Sequence, residues 1–292
     1  MNKTVSLVIS VLILGGAAGG AYYFWAGGEP EQAAVVAPPA PAVPAENARP
    51  TIRYPVVARA KGGETAQVKK MVASETVEKR PPPLVEPLPA LDASDPKVGE
   101  TLGTLVGYDR LQQLFNIDNF VRRIVVTVDN LPRRQVPPRY LPTQPVGGRF
   151  QAQGEEGQQT LSEKNYARYS TYVRLLEEAD LDSLITVYSL LYPLFQEAYE
   201  DLGYPDGYFN DRVVEAIDDL LKAPELRGPV KLVRPSVMFK YADTDLERLS
   251  AGQKIMIRMG PENAARVKAR LRAIRHELTR GATMAEGGVA GR

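Results

Sequence analysis

The pattern of hydrophobic and polar positions divides the chain into four parts. An uncharged apolar run extends from Thr4 to Ala26, and a stretch rich in Pro and Ala covers 27–90. Between 91 and 280, apolar residues recur at the spacing of amphipathic helices, with two short stretches that alternate as strands do. The last part, 281–292, is small and Gly-rich. The pattern therefore predicts a mainly α (α+β) protein, with an apolar N-terminal helix, a disordered linker, a helical domain with a small β element, and a disordered tail.

The apolar run has the length of a membrane anchor. At about 1.5 Å per residue, its 23 residues span roughly 34 Å, which is enough to cross a bilayer. Lys3 precedes the run and Glu29 follows it, so the positive-inside rule keeps the N-terminus in the cytoplasm. Four aromatic residues, 22–25, suit the outer membrane interface. We therefore expect residues 1–26 to form a cytoplasmic tip and a single-pass transmembrane helix through 4–26.

Two further properties of the N-terminal run stay open. Gly19 and Ala21 have the small side chains of a signal-peptide cleavage site, which is the alternative to an anchor. Small residues spaced four apart also allow close helix packing in membranes, so we expect a possible homodimer contact there. The residues of that contact are Gly15, Gly16, Gly19 and Gly20.

The linker is predicted from composition. Residues 27–90 are rich in Pro, Ala, Val and Glu, and such a segment buries too little apolar surface to offset its ordering entropy. Prolines favour the extended polyproline II conformation, at about 3.1 Å per residue, so some 60 residues reach roughly 190 Å at most. We expect a passive spacer; the alternative is a Pro-rich ligand for a partner groove.

The first half of the domain, 91–280, has several helix signals. Pro96 suits the first position of a helix, and short helices are expected to follow as far as Leu114. Helix and strand compete over 117–130, which is apolar and β-branched; we favour a helix that Pro132 ends. From Phe150 to Leu161, two glycines favour a small hairpin or an ordered loop.

The strongest helical pattern begins at Ser162, which is expected to cap a helix. A second helix is predicted from Asp180 or Asp182 to Gly203, with a kink at Pro193, and a third helix follows over 213–221. These helices predict an antiparallel helical core.

The C-terminal half of the domain combines strands and helices. Alternating residues on either side of Pro235 predict two short strands. A helix is then expected from Asp243 or Thr244 to Met259, and a last helix after Gly260.

Four segments of this domain carry a resemblance to a known family. They are VDNLPRR (128–134), NYARY (165–169), YPLFQEAYEDLGYPDG (192–207) and SAGQKIMIRMGPENAARVKARLR (250–272). Together they resemble an uncharacterised proteobacterial family of membrane-anchored proteins, known as a domain of unknown function. The resemblance covers roughly 90–280 and implies a Gram-negative envelope setting: an inner-membrane anchor with the bulk of the chain in the periplasm. It implies no activity, catalytic residue or ligand.

Opposite charges concentrate in different parts of the domain. Residues 177–225 contain 13 acidic and two basic side chains, whereas 254–280 contain eight basic and two acidic ones. The two regions either pair within the fold or the basic helix meets an anionic partner, such as an acidic protein surface or an envelope polymer. The formal net charge of +1 carries no general nucleic-acid signature, and we expect no nucleic-acid partner.

Two groups of residues are candidates for binding. Aromatic residues on the turn around Pro205 could stack on a partner, and loops carry function more often than helices do. The basic C-terminal region supplies cations for an anionic group. The candidates are Tyr204, Asp206, Tyr208, Lys254, Arg258, Arg266 and Arg270.

Catalytic signals are sparse. The chain has no Cys, which excludes disulfides, a thiolate nucleophile and a lipoprotein anchor, and we predict no metal, no cofactor and no catalytic residue. Asp211, Glu215 and Asp219 share one helical face and are the candidates for a carboxylate pair. His276, the only His, lies among charged residues, and no Gly-x-Ser-x-Gly segment is present.

Two functions follow as hypotheses. The favoured one is a non-catalytic docking or scaffold domain for an envelope protein complex or for peptidoglycan, because reactive side chains are sparse. The alternative is a carboxylate-dependent periplasmic glycan hydrolase.

Overall fold

The structure is a computed structural model that describes residues 52–56 and 88–287, and for 281–287 it describes the backbone. The predicted anchor at 4–26 and its dimer glycines lie outside these residues. Within the described ranges, we find no helix that combines the length and the apolarity needed to cross a bilayer.

The described part of the chain is mainly helical, as predicted, with small β elements. Three short 3-10 helices accompany the α-helices, at Leu91–Ala93, Pro138–Tyr140 and Glu163–Tyr169. The α-helices are α1 (Asp95–Val106), α2 (Tyr108–Leu114), α3 (Phe120–Asn130), α4 (Ser170–Glu178), α5 (Leu181–Asp201), α6 (Phe209–Leu221), α7 (Thr244–Arg248), α8 (Ala251–Arg258) and α9 (Pro261–Gly287). The strands are β1 (Ala152–Gln153), β2 (Thr160–Leu161), β3 (Leu232–Val233) and β4 (Lys240–Tyr241).

Five helices form the centre of the core. Helix α3 packs against α5 and α6, and α9 packs against α4 and α6. Their apolar faces bury large side chains, among them Phe120, Phe195, Phe209 and Leu271. Burial of such side chains contributes roughly 1.5–3 kcal/mol each to folding. For residues 117–130, the sequence pattern suited both a helix and a strand, and we favoured a helix. The structure confirms a helix there, α3, which lies at the centre of the domain.

Two antiparallel hairpins form the predicted β element. Ala152 pairs with Leu161 in one hairpin and Leu232 pairs with Tyr241 in the other. The hairpins meet, because Leu161 N–H bonds to the carbonyl of Val230 (2.8 Å). Leu161, Val230, Leu232, Tyr241 and Ile257 form a second, smaller apolar cluster at this junction.

The C-terminal region differs from its prediction at two points. The single helix expected up to Met259 is divided into α7 and α8, because Ser250 interrupts it and accepts the N–H of Gln253 (3.0 Å) as the N-cap of α8. The tail was predicted to be disordered from Gly281, whereas α9 continues to Gly287.

Residues 52–56 and 88–90 of the predicted linker are also described. Residues 52–56 lie against α6, where Tyr54 and Val56 pack on the main core. At these positions the chain is docked on the domain.

Candidate functional site

Helix α8 places two predicted binding residues on one face. Lys254 and Arg258 lie four residues apart, so their side chains project from consecutive turns. The start of the helix is held to the end of α3 by two hydrogen bonds. Gly252 N–H bonds to the carbonyl of Leu131 (2.9 Å), and Ala251 N–H bonds to that of Arg133. This arrangement brings the chain after α3, with its cations, next to α8.

The two side chains line a cavity of about 380 Å³, which we call the cationic cavity. Arg134 and Lys240 contribute two more positive charges, and Glu247 is the acidic residue of the wall. The remainder of the wall is formed by Gln135, Val136, Ser236, Met238, Phe239, Ala251 and Ile255. Four cations therefore face one carboxylate in this cavity.

Glu247 is the acidic partner of Lys254. Its Oε1 lies 3.3 Å from Lys254 Nζ, and its Oε2 accepts the N–H of Tyr241 (3.0 Å). Both carboxylate oxygens are thus engaged by other groups of the chain.

Burial and charge both act on Lys254. Burial lowers the pKa of Lys254, the Glu247 carboxylate opposes this effect, and the positive charges of Arg258 and Arg134 add to it. An anionic group in the cavity would favour the charged ammonium and raise this pKa. The positive charges of the wall are therefore complementary to an anionic group such as a carboxylate or a phosphate.

Arg258 is the most buried cation of the cavity, and only 6% of its surface is exposed. Tyr241 lies beside it; burial raises the pKa of Tyr241 to about 12, and the positive charge of Arg258 acts in the opposite direction. Tyr241 Oη donates a hydrogen bond to the carbonyl of Lys254 (3.3 Å), which joins β4 to α8. The β3–β4 hairpin and α8 thus form one wall.

The predicted turn residues have other contacts. Tyr204 stacks on Tyr199 with ring centroids 4.6 Å apart, and its hydroxyl accepts a hydrogen bond from Arg133 Nη2 (2.7 Å). Tyr208 Oη accepts the N–H of Val56 (2.9 Å). Asp206 is exposed on the turn. The structure thus places Tyr204 and Tyr208 in contacts within the chain.

The predicted cations of α9 also bind within the fold. Arg266 donates two hydrogen bonds to Glu177, with Nε 2.7 Å from Oε1, and Arg270 bonds to the carbonyl of Ala179. Burial lowers the pKa of Arg270. Further pairs join Arg275 to Asp218 and Lys268 to Glu225. Of the two alternatives for the charged regions, pairing within the fold is observed for these residues.

The carboxylates considered for hydrolysis are each engaged by other groups of the chain. Asp211 accepts two backbone N–H groups of the docked segment 52–56, and Asp219 accepts hydrogen bonds from Ser250 (2.5 Å) and Gln253 (2.8 Å). Burial raises the pKa of Asp219. Burial acts in the same direction on Glu215, but hydrogen bonds from Arg53 and Arg212 outweigh it and lower the pKa of Glu215.

Other reactive groups are not clustered in the described ranges. There, no three His, Cys, Asp or Glu side chains are arranged to hold a metal ion. The side chain of His276 is 76% exposed, and its Nδ1 lies 3.4 Å from Glu277 Oε1.

A comparison with family models identifies the chain at the level of its family. The model described as "Protein of unknown function (DUF3014)" matches residues 120–275, which is more than half of the chain. The chain belongs to the DUF3014 family. No curated protein and no solved structure matches it. The DUF3014 match includes the cationic cavity, whereas residues 52–56 and α1 precede it.

Sequence analysis missed three charged residues of the cationic cavity. Arg134, Lys240 and Glu247 belong to different elements from Lys254, so no spacing rule connects them. One signal was present, since Arg134 ends the segment VDNLPRR that carries the family resemblance.

Proposed function

We propose that this protein is a non-catalytic docking domain that binds an acidic segment of an envelope protein partner. The cationic cavity carries the proposal, because Arg134, Lys240, Lys254 and Arg258 surround a space of about 380 Å³ with Glu247 as the acidic wall residue. Charged groups of a partner steer association and set specificity when they complement such a surface.

The rim of the cavity favours a protein over a glycan as the partner. Val237, beside the wall residues Ser236 and Met238, is 61% exposed, and Val233 on the same hairpin is 45% exposed. Exposed apolar side chains next to a charged cavity are suited to a peptide that has both acidic and apolar residues. Peptidoglycan, which has carboxylates but little aliphatic surface, matches the rim less well.

The proposal includes a membrane setting. The apolar run at 4–26 would anchor the chain in the bacterial inner membrane, with the N-terminus cytoplasmic and the domain in the periplasm. Association through Gly15, Gly16, Gly19 and Gly20 would give a homodimer at the anchor. The glycan hydrolase alternative has no specific observation in its favour, since Asp211 and Glu215 are both engaged by Arg53, and Asp219 is engaged by Ser250 and Gln253.

Site-specific photocrosslinking tests the proposal. A photoreactive amino acid replaces Val237 in the full-length protein in cells, and the trapped peptides are identified by mass spectrometry. We expect one defined partner protein whose crosslinked peptide is acidic. Crosslinks to glycan fragments or to this chain alone would refute the proposal.

Charge reversal provides the matched comparison. Lys254→Glu should abolish the crosslink, and Lys254→Met should weaken it while keeping the aliphatic stem. Arg272→Glu is the control, because Arg272 is an exposed cation on α9 and the change in charge is identical. Equal crosslinking in Lys254→Glu and Arg272→Glu would also contradict the proposal.

A further inference from the structure

A short piece of the chain before the helical domain is recognised by α6. Residues 52–56, with the sequence Ile-Arg-Tyr-Pro-Val, contact a groove formed by Tyr208, Asn210, Asp211 and Glu215. We call it the Tyr208 groove. It shares no residue with the cationic cavity.

The groove binds the main chain of the segment. Both oxygens of Asp211 are used, since Arg53 N–H bonds to Oδ2 (3.0 Å) and Tyr54 N–H bonds to Oδ1 (2.8 Å). Val56 N–H bonds to Tyr208 Oη (2.9 Å). Pro55, which lies between them, has no N–H. Every main-chain N–H group from position 53 to 56 therefore has a partner in the groove.

Side chains and a carbonyl add specificity. The Arg53 guanidinium pairs with Glu215, and this hydrogen bond raises the pKa of Arg53. The carbonyl of Tyr54 accepts a hydrogen bond from Asn210 Nδ2 (2.8 Å). The Tyr54 ring packs against the main core. Together these contacts favour an Arg-aromatic-Pro sequence over an unrelated one.

The groove is held in shape by the core beneath it. Asn210 is completely buried, and its Oδ1 accepts a hydrogen bond from Tyr188 Oη (2.9 Å). The Asp211 side chain is 13% exposed, and within the described ranges all of its hydrogen bonds come from Arg53 and Tyr54. With the segment docked, this carboxylate is largely shielded from water and is satisfied by main-chain N–H groups, as expected of an acceptor in a site that binds an extended peptide.

We propose that the Tyr208 groove is a binding site for Arg-aromatic-Pro peptides and that this chain's own residues 52–56 are its occupant. Covalent connection supplies the segment at an effective concentration on the order of millimolar, so even a weak site is filled. The docked segment is a latch between the N-terminal part of the chain and the domain.

The latch changes how far the domain extends from an N-terminal anchor. With Arg53 docked, 25 residues lie between Ala26 and Ile52, and at about 3.1 Å per residue they reach about 80 Å at most. Without docking, the whole of 27–90 contributes, with a limit of roughly 190 Å. Release of the segment therefore more than doubles the maximum reach of the domain.

Competition with a free peptide tests the site in the full-length protein in detergent micelles. The probe is a fluorescein-labelled peptide of residues 50–57, Pro-Thr-Ile-Arg-Tyr-Pro-Val-Val, and binding is followed by fluorescence anisotropy. A variant with Arg53→Glu and Tyr54→Ala vacates the groove. We expect it to bind the probe at least about tenfold more tightly than the unaltered protein, because the cis competitor is gone.

Two substitutions on the vacated variant locate the binding. Asp211→Ala removes the acceptor of two N–H groups and should weaken probe binding at least about tenfold. Glu197→Ala, at an exposed carboxylate on α5, should leave binding unchanged. Circular dichroism verifies helix content, and Arg53→Glu alone serves if the double variant does not fold. Equal probe binding by the vacated and unaltered proteins, or by the Asp211 and Glu197 variants, would overturn the proposal.

Discussion

Asp129 forms two ion pairs, one of which joins α3 to Arg212 of α6, and its loss should destabilise the domain. Its side chain is 6% exposed, with Oδ1 3.1 Å from Arg212 Nε and Oδ2 2.9 Å from Arg133 Nη2. The change Asp129→Asn keeps the shape of the side chain and removes its charge. Arg212, itself 18% exposed, would then lie in a poorly hydrated position with one fewer carboxylate.

The structure also indicates how much unfolding free energy Asp129→Asn should lose. Removal of one partner of a buried ion pair costs about 3–5 kcal/mol. We expect the lower end, about 3 kcal/mol, because Arg212 keeps Glu215 at 3.0 Å and Arg133 is 40% exposed to solvent. With an m-value of about 2 kcal/mol/M in urea, the unfolding midpoint should fall by about 1.5 M at constant m.

Urea unfolding followed by circular dichroism measures this loss. Asp201→Asn is the matched control, because Asp201 forms an ion pair with Arg122 at 2.8 Å but is 50% exposed. Such exposed pairs contribute less than about 1 kcal/mol. If the two variants lose the same free energy of unfolding, the argument from burial is wrong.

Two further predictions use glycines and tyrosines. Gly252→Ala should cost about 1–3 kcal/mol of unfolding free energy, because the added Cβ would lie 2.7 Å from Leu220 Cδ2. Gly99→Ala, with its nearest contact at 3.6 Å, should stabilise α1 by about 0.5–1 kcal/mol in the same urea assay; the opposite order would contradict this packing. Burial raises the pKa values of Tyr172, Tyr199 and Tyr241 to about 12, above the ordinary value of 10. The folded state therefore retains protons that the unfolded state loses, so stability should fall as the pH rises from 10 toward 12. Urea midpoints and absorbance at 295 nm measure this fall, and a constant midpoint from pH 9 to 11.5 would contradict it.

Local signals predicted most helices. Asp180 caps α5 by accepting the N–H of Ser183 (2.8 Å), and apolar residues at helical spacing line α6. The division between α7 and α8 was missed because the signal is partly tertiary. Ser250 caps α8, but Ala251 and Gly252 also bond to carbonyls at the end of α3.

Long-range contacts also decide how α3 begins. Asn119 precedes it in a left-handed conformation, with φ at 52°, and no side chain of its own segment caps it. Instead, Asp95 of α1 accepts the N–H of Phe120 (3.0 Å). A cap supplied from 25 residues away follows no sequence spacing, so the start of α3 carries no capping signal in its own segment.

The candidate site was predicted in part. Lys254 and Arg258 were named from charge and helical spacing, and the structure places both at the cationic cavity. Arg266 and Arg270 were named for the same reason, yet they bind Glu177 and the carbonyl of Ala179. The sequence shows that a cation is present but not whether a neighbour from another element compensates it.

The sequence by itself determined the mainly helical character of the domain, the two short strands on either side of Pro235 and several helix caps, because apolar spacing and capping act within a few residues. The tertiary structure alone decided which charges pair, which cations line the cavity, and that residues 52–56 dock on α6. These outcomes depend on contacts between residues far apart in the chain, such as Arg53 and Glu215, which are 162 positions apart. Only the packing of the core brings such residues together.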